Sequence, residues 1–560
     1  MQAIVECVPN FSEGSDMTKI ESICDEIRAT DKVSLLDVDP GKATNRTVVT
    51  FVGPPEEVIE AALKAIKKAA ELIDMSKHKG EHPRMGATDV CPLIPVSGIT
   101  MEELIPYAEK LGQRVGEELG IPVYLYESAA RSEDRKNLAT IRAGEYEGLE
   151  EKIKQDKWKP DFGPAEFNAK AGATAVGVRD FLVAYNINLN TTSVRRANAV
   201  AFDVREKGRI KREGDKLTGK IIRDADGNAE REPGLLQSVK AIGWFIEEYG
   251  IAQISMNLTD LSVTSLHKAF ETVRECANKR GLRVTGSELV GLIPKKHLLE
   301  AGKYFLRKQE RSLGIEESEI IKIAIKSLGL DELGPFDPDK KVIEYMLDSG
   351  VESPLVRKNL IEFANETASE SPAPGGGSIS AYVGALGASL GGMVANLSAH
   401  KRGWDDKWAY YSDFAVKAQE IKDKLLFYVD EDTRSFNGIL QAMRLPKATD
   451  AEKAERTTKI NEATRYAIEV PLNVMRTSLE AYDLLKAMAE RGLKASVSDA
   501  GVGALCIDTA VQGAYLNVRI NCDGFGDKQF VESALKEAKS ISEKSESLKK
   551  EVLNIVTQSV

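Results

Sequence analysis

The feature that most constrains this chain is a change of periodicity along its length. Up to about residue 333, short β-branched runs alternate with amphipathic stretches of helical spacing. Beyond residue 354 the strand signals fade and helical patterns remain. The first part must therefore build sheet with helices against it, and the second a bundle of helices. At 560 residues the chain also exceeds what one hydrophobic core serves, so several domains are expected.

In the first part QAIVECV (2–8), KVSLLDV (32–38) and RTVVTFV (46–52) read as strands, with a helix over 18–29. Pro54 and Pro55 open a helix through Leu72, with apolar positions at Val58, Ala61, Leu63, Ile66 and Ala70. The loop HKGEHPRMG (78–86) leads to a strand near 89–94, and Thr100 with Glu103 forms a capping box for a helix ending near Leu119. The order βαββαβ is that of the ferredoxin-like unit. After Pro164 it recurs, with strands at 179–189, 241–246, 252–258 and 283–291 and helices at 193–206 and 265–279. The reading is an α/β N-terminal half of two ferredoxin-like subdomains, 1–178 and 179–333, followed by an all-α helical-bundle domain at 355–560. A linker is expected at 334–354, where three prolines fall. Helices in the last part are expected at 355–369, 378–398, 408–443, 450–490, 499–520 and from Lys528 onward. The charged segment 209–232 reads as a solvated hairpin; its DADGN lacks the later ligands of a calcium loop.

A net charge of −10 and 29% charged residues argue against general affinity for nucleic acid or anionic membranes. The six cysteines, at 7, 24, 91, 276, 506 and 522, form no C-x-x-C pair, so neither a disulfide framework nor a zinc ribbon is indicated. No secretory signal is read at the N-terminus, and a cytoplasmic location is expected. The stretch 372–399 carries no charge and is long enough to span a bilayer. Its Gly384, Ala388, Gly391 and Gly392 instead suit close helix–helix contact within a bundle.

Two of the five histidines lie four apart in His78-Lys-Gly-Glu-His82, an H-x-x-E-H pattern. A shared metal would need a helix to aim both rings one way. Gly80 weakens a helix, Pro83 pushes His82 toward extended backbone, and a third ligand at suitable spacing is missing. An acid–base histidine on a loop beside a rigid sheet and a histidine that only hydrogen-bonds its turn both remain open.

IVECVPNFSEG (4–14), LLDVDPGKATNRTVVTFVGPPE (35–56), HKGEHPRMGATDVCPLIPVSG (78–98) and FLVAYNINL (181–189) resemble glutamate formimidoyltransferase. GGSISAYVGALGASLGGMVANLS, VDEDTRSFNGILQAMRLPKAT and GAYLNVRIN resemble the cyclodeaminase and methenyltetrahydrofolate cyclohydrolase family. In this order they resemble the bifunctional formimidoyltransferase-cyclodeaminases over nearly the whole chain, with 209–232 the main departure. The resemblance implies transfer of the formimino group from N-formimino-L-glutamate to tetrahydrofolate, a co-substrate, and then cyclisation of 5-formiminotetrahydrofolate to 5,10-methenyltetrahydrofolate with release of ammonia. It implies no metal.

By the same resemblance the catalytic histidine falls on His82, whose imidazole would take a proton from folate nitrogen 5 and return it to the departing glutamate nitrogen. Asp39 is a supporting candidate for a cationic formimino group, or a turn residue before Pro40. Folate-contacting segments fall on Gly163, Pro164, Ala165, Glu166, Phe167, Asn168, Ala169, Lys170, Ala171 and Gly172, and on Gly234, Leu235, Leu236, Gln237, Ser238, Val239, Lys240, Ala241, Ile242 and Gly243. There glycine would let backbone approach a flat pterin. Arg46, Arg84 and Arg179 are candidates to clamp carboxylates or to form structural ion pairs.

In the second half the resemblance places the catalytic carboxyl on Asp432, with Asp430 a supporting candidate. On a regular helix these two point in different directions, and a buried carboxyl with a raised pKa would serve as general acid. The alternative is an acidic trio, Asp430 to Asp432, that only caps or solvates a helix. PGGG (374–377) lacks the lysine of a nucleotide loop. Alternative functions are a formimidoyltransferase fused to a methenyltetrahydrofolate cyclohydrolase, or a non-catalytic folate-binding scaffold. Small helix residues and the resemblance together suggest a homo-oligomer built from dimers.

Overall fold

The computed structural model describes residues 3–41, 45–80, 83–214, 219–348, 354–371 and 373–560. The chain divides into two compact units, Met1–Leu298 with Leu328–Ser349, and Leu299–Ser327 with Gly350–Val560.

The first unit opens with β1 (Ile4–Cys7) and β2 (Asn10–Phe11), then α1 (Met17–Arg28), β3 (Ser34–Gly41), β4 (Arg46–Gly53), α2 (Pro55–Leu72) and β5 (Thr88–Ser97). β1 and β2 lie between β4 and β5, β3 lies outside β4, and all of these pairs are antiparallel. α1 starts where the Asp16 carboxylate accepts the Thr18 and Lys19 N–H groups, and it buries Ile20, Ile23, Cys24 and Ile27 at helical spacing. After β5, α3 (Met101–Leu119) begins with the expected Thr100–Glu103 capping box, both bonds present, and ends at Gly120 in the left-handed region. β6 (Val123–Glu127) and β7 (Thr174–Val178) then extend the sheet in parallel beyond β5. Sequence patterning missed this extension, together with α4 (Glu133–Lys136), α5 (Leu138–Arg142) and α6 (Glu145–Ile153) between its strands.

The second half of this unit carries β8 (Val183–Leu189), α7 (Val194–Val204), β9 (Arg209–Ile210), β10 (Arg231–Glu232), β11 (Val239–Ile246), β12 (Ile251–Leu258), α8 (Leu266–Asn278) and β13 (Val284–Val290). Its sheet runs β11-β12-β8-β13, all antiparallel, which repeats the β3-β4-β1-β5 order of the first half. The 209–232 segment pairs β9 with β10 as a hairpin, its turn closed by Asp224 accepting the Asp226 and Asn228 N–H groups.

α9 (Lys295–Lys308) and α10 (Glu317–Leu328) follow, then α11 (Pro338–Lys341) and α12 (Ile343–Asp348). These last two fall inside the stretch read from sequence as a linker. Pro338 starts α11 under an Asp337 cap instead of breaking structure, Val342 and Ile343 are buried, and Ile293 bridges Val342.

The second unit contains α13 (Leu360–Thr367), α14 (Gly376–Ala399), α15 (Trp408–Met443), α16 (Asp450–Leu479), α17 (Ala481–Arg491), α18 (Val497–Cys522) and α19 (Lys528–Ser559). The helix expected over 450–490 is two helices, α16 and α17. The uncharged α14 is long and apolar enough to cross a membrane by length and composition, and it sits in the bundle with Gly384, Gly387, Ala388, Gly391 and Gly392 buried. A Cβ on Gly387 would meet the Gly503 carbonyl at 2.9 Å, so glycine sets how closely α14 and α18 pack.

Candidate active sites

The first unit holds a cleft of about 1050 Å³ to which both of its larger sheets contribute. Asn10, Val90, Pro92 and Tyr126 come from the first sheet, Lys240 from β11 of the second with Leu182, Ser238 and Thr259 at its strand ends, and Arg179 and Asp180 from the segment joining them. Arg46 enters from the start of β4 and Arg142 from the end of α5, and Pro83 and Glu145 also line the cleft. Arg46, Lys136, Arg142, Arg179 and Lys240 outnumber Glu127, Glu145, Asp180 and Asp260 along the walls. An excess of guanidinium suits a carboxylate-bearing ligand.

The charges are held from behind. Asp89, 1% exposed, accepts the Met85 N–H at 3.0 Å and forms a short ion pair with Arg142. Burial raises its pKa, opposed by Arg142 and the Met85 N–H. Burial lowers the pKa of Arg46, and the neighbouring Arg142 adds to this. Behind Arg179 lies Glu6 on β1, 3% exposed. Burial pushes its pKa up to about 8 against the pull of Arg179.

His82 lies outside the described residues; Pro83, which follows it, lines the cleft. The other histidine of the motif, His78, is engaged at both ring nitrogens. Arg84 Nε donates to Nδ1 at 3.2 Å, and Nε2 lies 3.0 Å from the Asn45 carbonyl. An Nδ1 that accepts from a guanidinium places the ring proton on Nε2, so both in-plane lone-pair directions are used. Arg84 is a structural ion pair, with Glu147 at 2.6 Å and Glu145 at 3.0 Å, and lines a separate depression instead of the cleft. Of the three arginines proposed from sequence, Arg46 and Arg179 reach the cleft. Arg142, which sequence reasoning missed, joins them; its partner Asp89 is 53 residues away, and no local pattern signals the pair. Asp39 sits in the exposed strand β3, paired opposite Val48, and not in a turn.

Residues 163–172 form a loop tied to the body of the unit. Asn168 accepts the Ala171 N–H, Lys170 accepts the Met75 N–H through its carbonyl, and Tyr146 Oη donates to the Ala169 carbonyl. None of these ten residues lines the cleft. Gly172 has φ +69°, and a Cβ there would lie 2.2 Å from the Met85 carbonyl. In 234–243 only Ser238 and Lys240 line the cleft. Gly243 exchanges two 3.0 Å hydrogen bonds with the Asn198 side chain on α7. The close approach these two glycines permit is to the protein's own backbone.

In the second unit the acidic trio of α15 divides three ways. Asp430 is buried and accepts the Leu355 and Val356 N–H groups at 2.9 and 3.3 Å. Glu431 accepts from Tyr466 Oη at 2.6 Å and pairs with Arg434. Asp432 accepts the Ser378 N–H at the N-terminus of α14. Burial raises the Asp432 pKa while its bonds from Ser378 oppose the rise. Asp430 and Asp432 thus face different partners, as helical geometry predicts, without distortion of α15. His400 Nε2 accepts the Ser312 N–H, a structural engagement.

A cation-lined cleft in an α/β unit, followed in the same chain by a half-buried carboxyl in a helical unit, defines a protein with two separate candidate sites. Residues 4–179 match the formiminotransferase domain, N-terminal subdomain; 184–348 match the formiminotransferase domain; and 359–540 match formiminotransferase-cyclodeaminase. The formimidoyltransferase-cyclodeaminase of Mus musculus is 44% identical over 548 residues, spanning 96% of this chain and 97% of its own. The glutamate formimidoyltransferase of Thermoplasma acidophilum is 43% identical over 322 residues, 57% of this chain and 96% of its own. The methenyltetrahydrofolate cyclohydrolase of Methylorubrum extorquens is 35% identical over 198 residues, 35% of this chain and 95% of its own. The chain belongs to the formimidoyltransferase-cyclodeaminase family.

Proposed function

We propose that this protein is a bifunctional folate enzyme of histidine degradation. Its first unit transfers the formimino group of N-formimino-L-glutamate to tetrahydrofolate. Nitrogen 5 attacks the formimino carbon and the bond to the glutamate nitrogen breaks. The proton lost by nitrogen 5 passes through His82 to the departing nitrogen. Arg46, Arg142 and Arg179 receive substrate carboxylates, and the 163–172 and 234–243 segments contact folate. Ser238 and Lys240 on the cleft wall support the second of these assignments. Asp39 has weaker support, since it is not among the cleft-lining residues.

In the second unit nitrogen 10 attacks the same carbon, the ring closes, and the imino nitrogen leaves as ammonia after taking a proton from Asp432. Its burial supports that role. The carrying observation is the match of both halves, in order, to bifunctional relatives over 96% of the chain. Both substrates would be supplied to the purified protein, and glutamate, ammonia and the methenyl chromophore followed. The second reading, a cyclohydrolase in the helical unit, is favoured by the Methylorubrum relative. Ammonia release from 5-formiminotetrahydrofolate decides against it, and hydrolysis of the methenyl compound without ammonia decides for it.

We read both halves of the first unit as ferredoxin-like, supported by their shared βαββαβ order and equivalent strand neighbours. We also propose a cytoplasmic homo-oligomer built from dimers of the helical unit. Leu386, Met393 and Leu397 on α14 and Val502, Leu505, Leu516 and Ile520 on α18 are exposed apolar side chains on two neighbouring helices. Exposed apolar side chains on two packed helices suit a second copy.

A further inference from the structure

The H-x-x-E-H motif leaves one histidine unexplained by either reaction. His78 does not line the cleft, yet its ring joins two chain segments that are far apart in sequence. One is the start of β4: Nε2 donates to the Asn45 carbonyl, 33 residues away, at 3.0 Å. The other is the far flank of its own loop: Nδ1 accepts from Arg84 Nε at 3.2 Å, and the His78 carbonyl accepts from Arg84 Nη2 at 3.4 Å.

Asn45 closes the circuit. Its side-chain Nδ2 donates to the Lys79 carbonyl at 2.8 Å, its Oδ1 accepts the Gly14 N–H at 3.0 Å, and its backbone is in the left-handed region with φ +47°. Asparagine tolerates that conformation better than most residues. Arg84 is in turn held by Glu145 and Glu147 on α6. Lys79 is thereby tied to Asn45 beside β4, Arg84 to α6, and the imidazole joins the two by bonding Asn45 and Arg84.

We propose that His78 is a positioning residue for transfer, a neutral Nε2–H imidazole bonded to both Asn45 and Arg84, so that it holds itself and Arg84, which flank His82 in the sequence, to the start of β4. The proposal rests on the reading of His82 as the proton carrier. The neutral tautomer is essential, because a protonated Nδ1 would aim an N–H at the Arg84 N–H. Only a side chain offering one acceptor and one donor replaces it. Glutamine does so, with its carbonyl toward Arg84 and its amide N–H toward Asn45, and leucine offers neither.

Because the ring touches no cleft surface, its loss should lower kcat for transfer while leaving the KM for formiminoglutamate within about twofold. Misplacing a catalytic group by about 1 Å costs up to ~100-fold in rate. The expected results are a kcat ten- to hundredfold lower, roughly, in His78→Leu and within about threefold of the parent in His78→Gln. Cyclisation of supplied 5-formiminotetrahydrofolate should be unchanged in both. Parental kcat in His78→Leu, or His78→Gln as impaired as His78→Leu, overturns the proposal. Nitrogen-15 NMR of histidine-labelled parent protein tests the tautomer without any substitution, and a proton on Nδ1 of His78 also overturns it. His82→Ala is assayed alongside. Parental transfer in that variant removes the reading of His82 itself, whereas its loss together with a fully active His78→Leu removes only the role given to His78.

Discussion

Asp432 and Ser378, 54 residues apart in the chain, meet where α14 begins: the Ser378 N–H donates to Oδ2 at 2.9 Å, and the Ser378 hydroxyl lies 3.2 Å from the same oxygen. The hydroxyl also donates to the Val429 carbonyl at 2.8 Å, which binds α14 to α15 at this point. A helix N-terminus favours an anion, and burial disfavours one. Here burial prevails, and the carboxyl holds its proton above the ordinary aspartate range. The contact is possible because residue 377 is glycine: a Cβ there would stand 2.1 Å from Asp432 Oδ1.

Asp432→Asn should lower cyclisation by roughly 100-fold or more, the loss expected when a general acid is removed, and leave transfer unchanged. Gly377→Ala should lower it too, by displacing the carboxylate without altering its chemistry. The methenyl absorbance after addition of 5-formiminotetrahydrofolate reads both. Parental ammonia release by Asp432→Asn would remove this residue from the mechanism.

Arg142 and Asp89 form the buried ion pair under the cleft. Arg142→Met should leave Asp89 without its guanidinium and destabilise the fold by roughly 3 kcal/mol. Adding Asp89→Asn should restore part of the stability but not substrate affinity, since the wall still lacks a cation. Thermal melting together with the KM for formiminoglutamate separates the two effects. Full recovery of KM in the double variant would deny Arg142 a part in binding.

Glu6 gives the stability of the first unit a definite pH slope. The folded chain keeps the Glu6 proton up to about pH 8, whereas an unfolded chain releases it near the ordinary glutamate value. Folding is therefore progressively disfavoured as pH rises through that window, by at most roughly 1.4 kcal/mol per pH unit. Glu6→Gln removes the titration, so its Tm advantage over the parent should be small at pH 4.5 and grow toward pH 8. An advantage that shrinks over this range contradicts the assignment.

Met393→Glu with Leu505→Glu should make the helical unit's exposed face unfit for a second copy. Light scattering is expected to show a smaller assembly at unchanged helix content, and an unchanged mass would place the interface elsewhere.

Most of the strands and long helices, and their order, were legible in the sequence, though not β6, β7 or the short helices α4 to α6. Period-two and period-3.6 patterns, the Thr100–Glu103 box and the prolines at helix starts are local signals, set within a few residues by backbone sterics and side-chain spacing. The opposed directions of Asp430 and Asp432 were legible for the same reason. Only the tertiary structure decided which arginines face the cleft, because Arg142 and Arg84 differ in their distant partners and not in their local sequence. It also decided that His78 is a strut, that Gly243 serves the packing of β11 on α7, and that parallel β6 and β7 enlarge the first sheet. These outcomes rest on contacts between residues tens of positions apart, where burial and hydrogen-bond satisfaction select one partner among many of identical type.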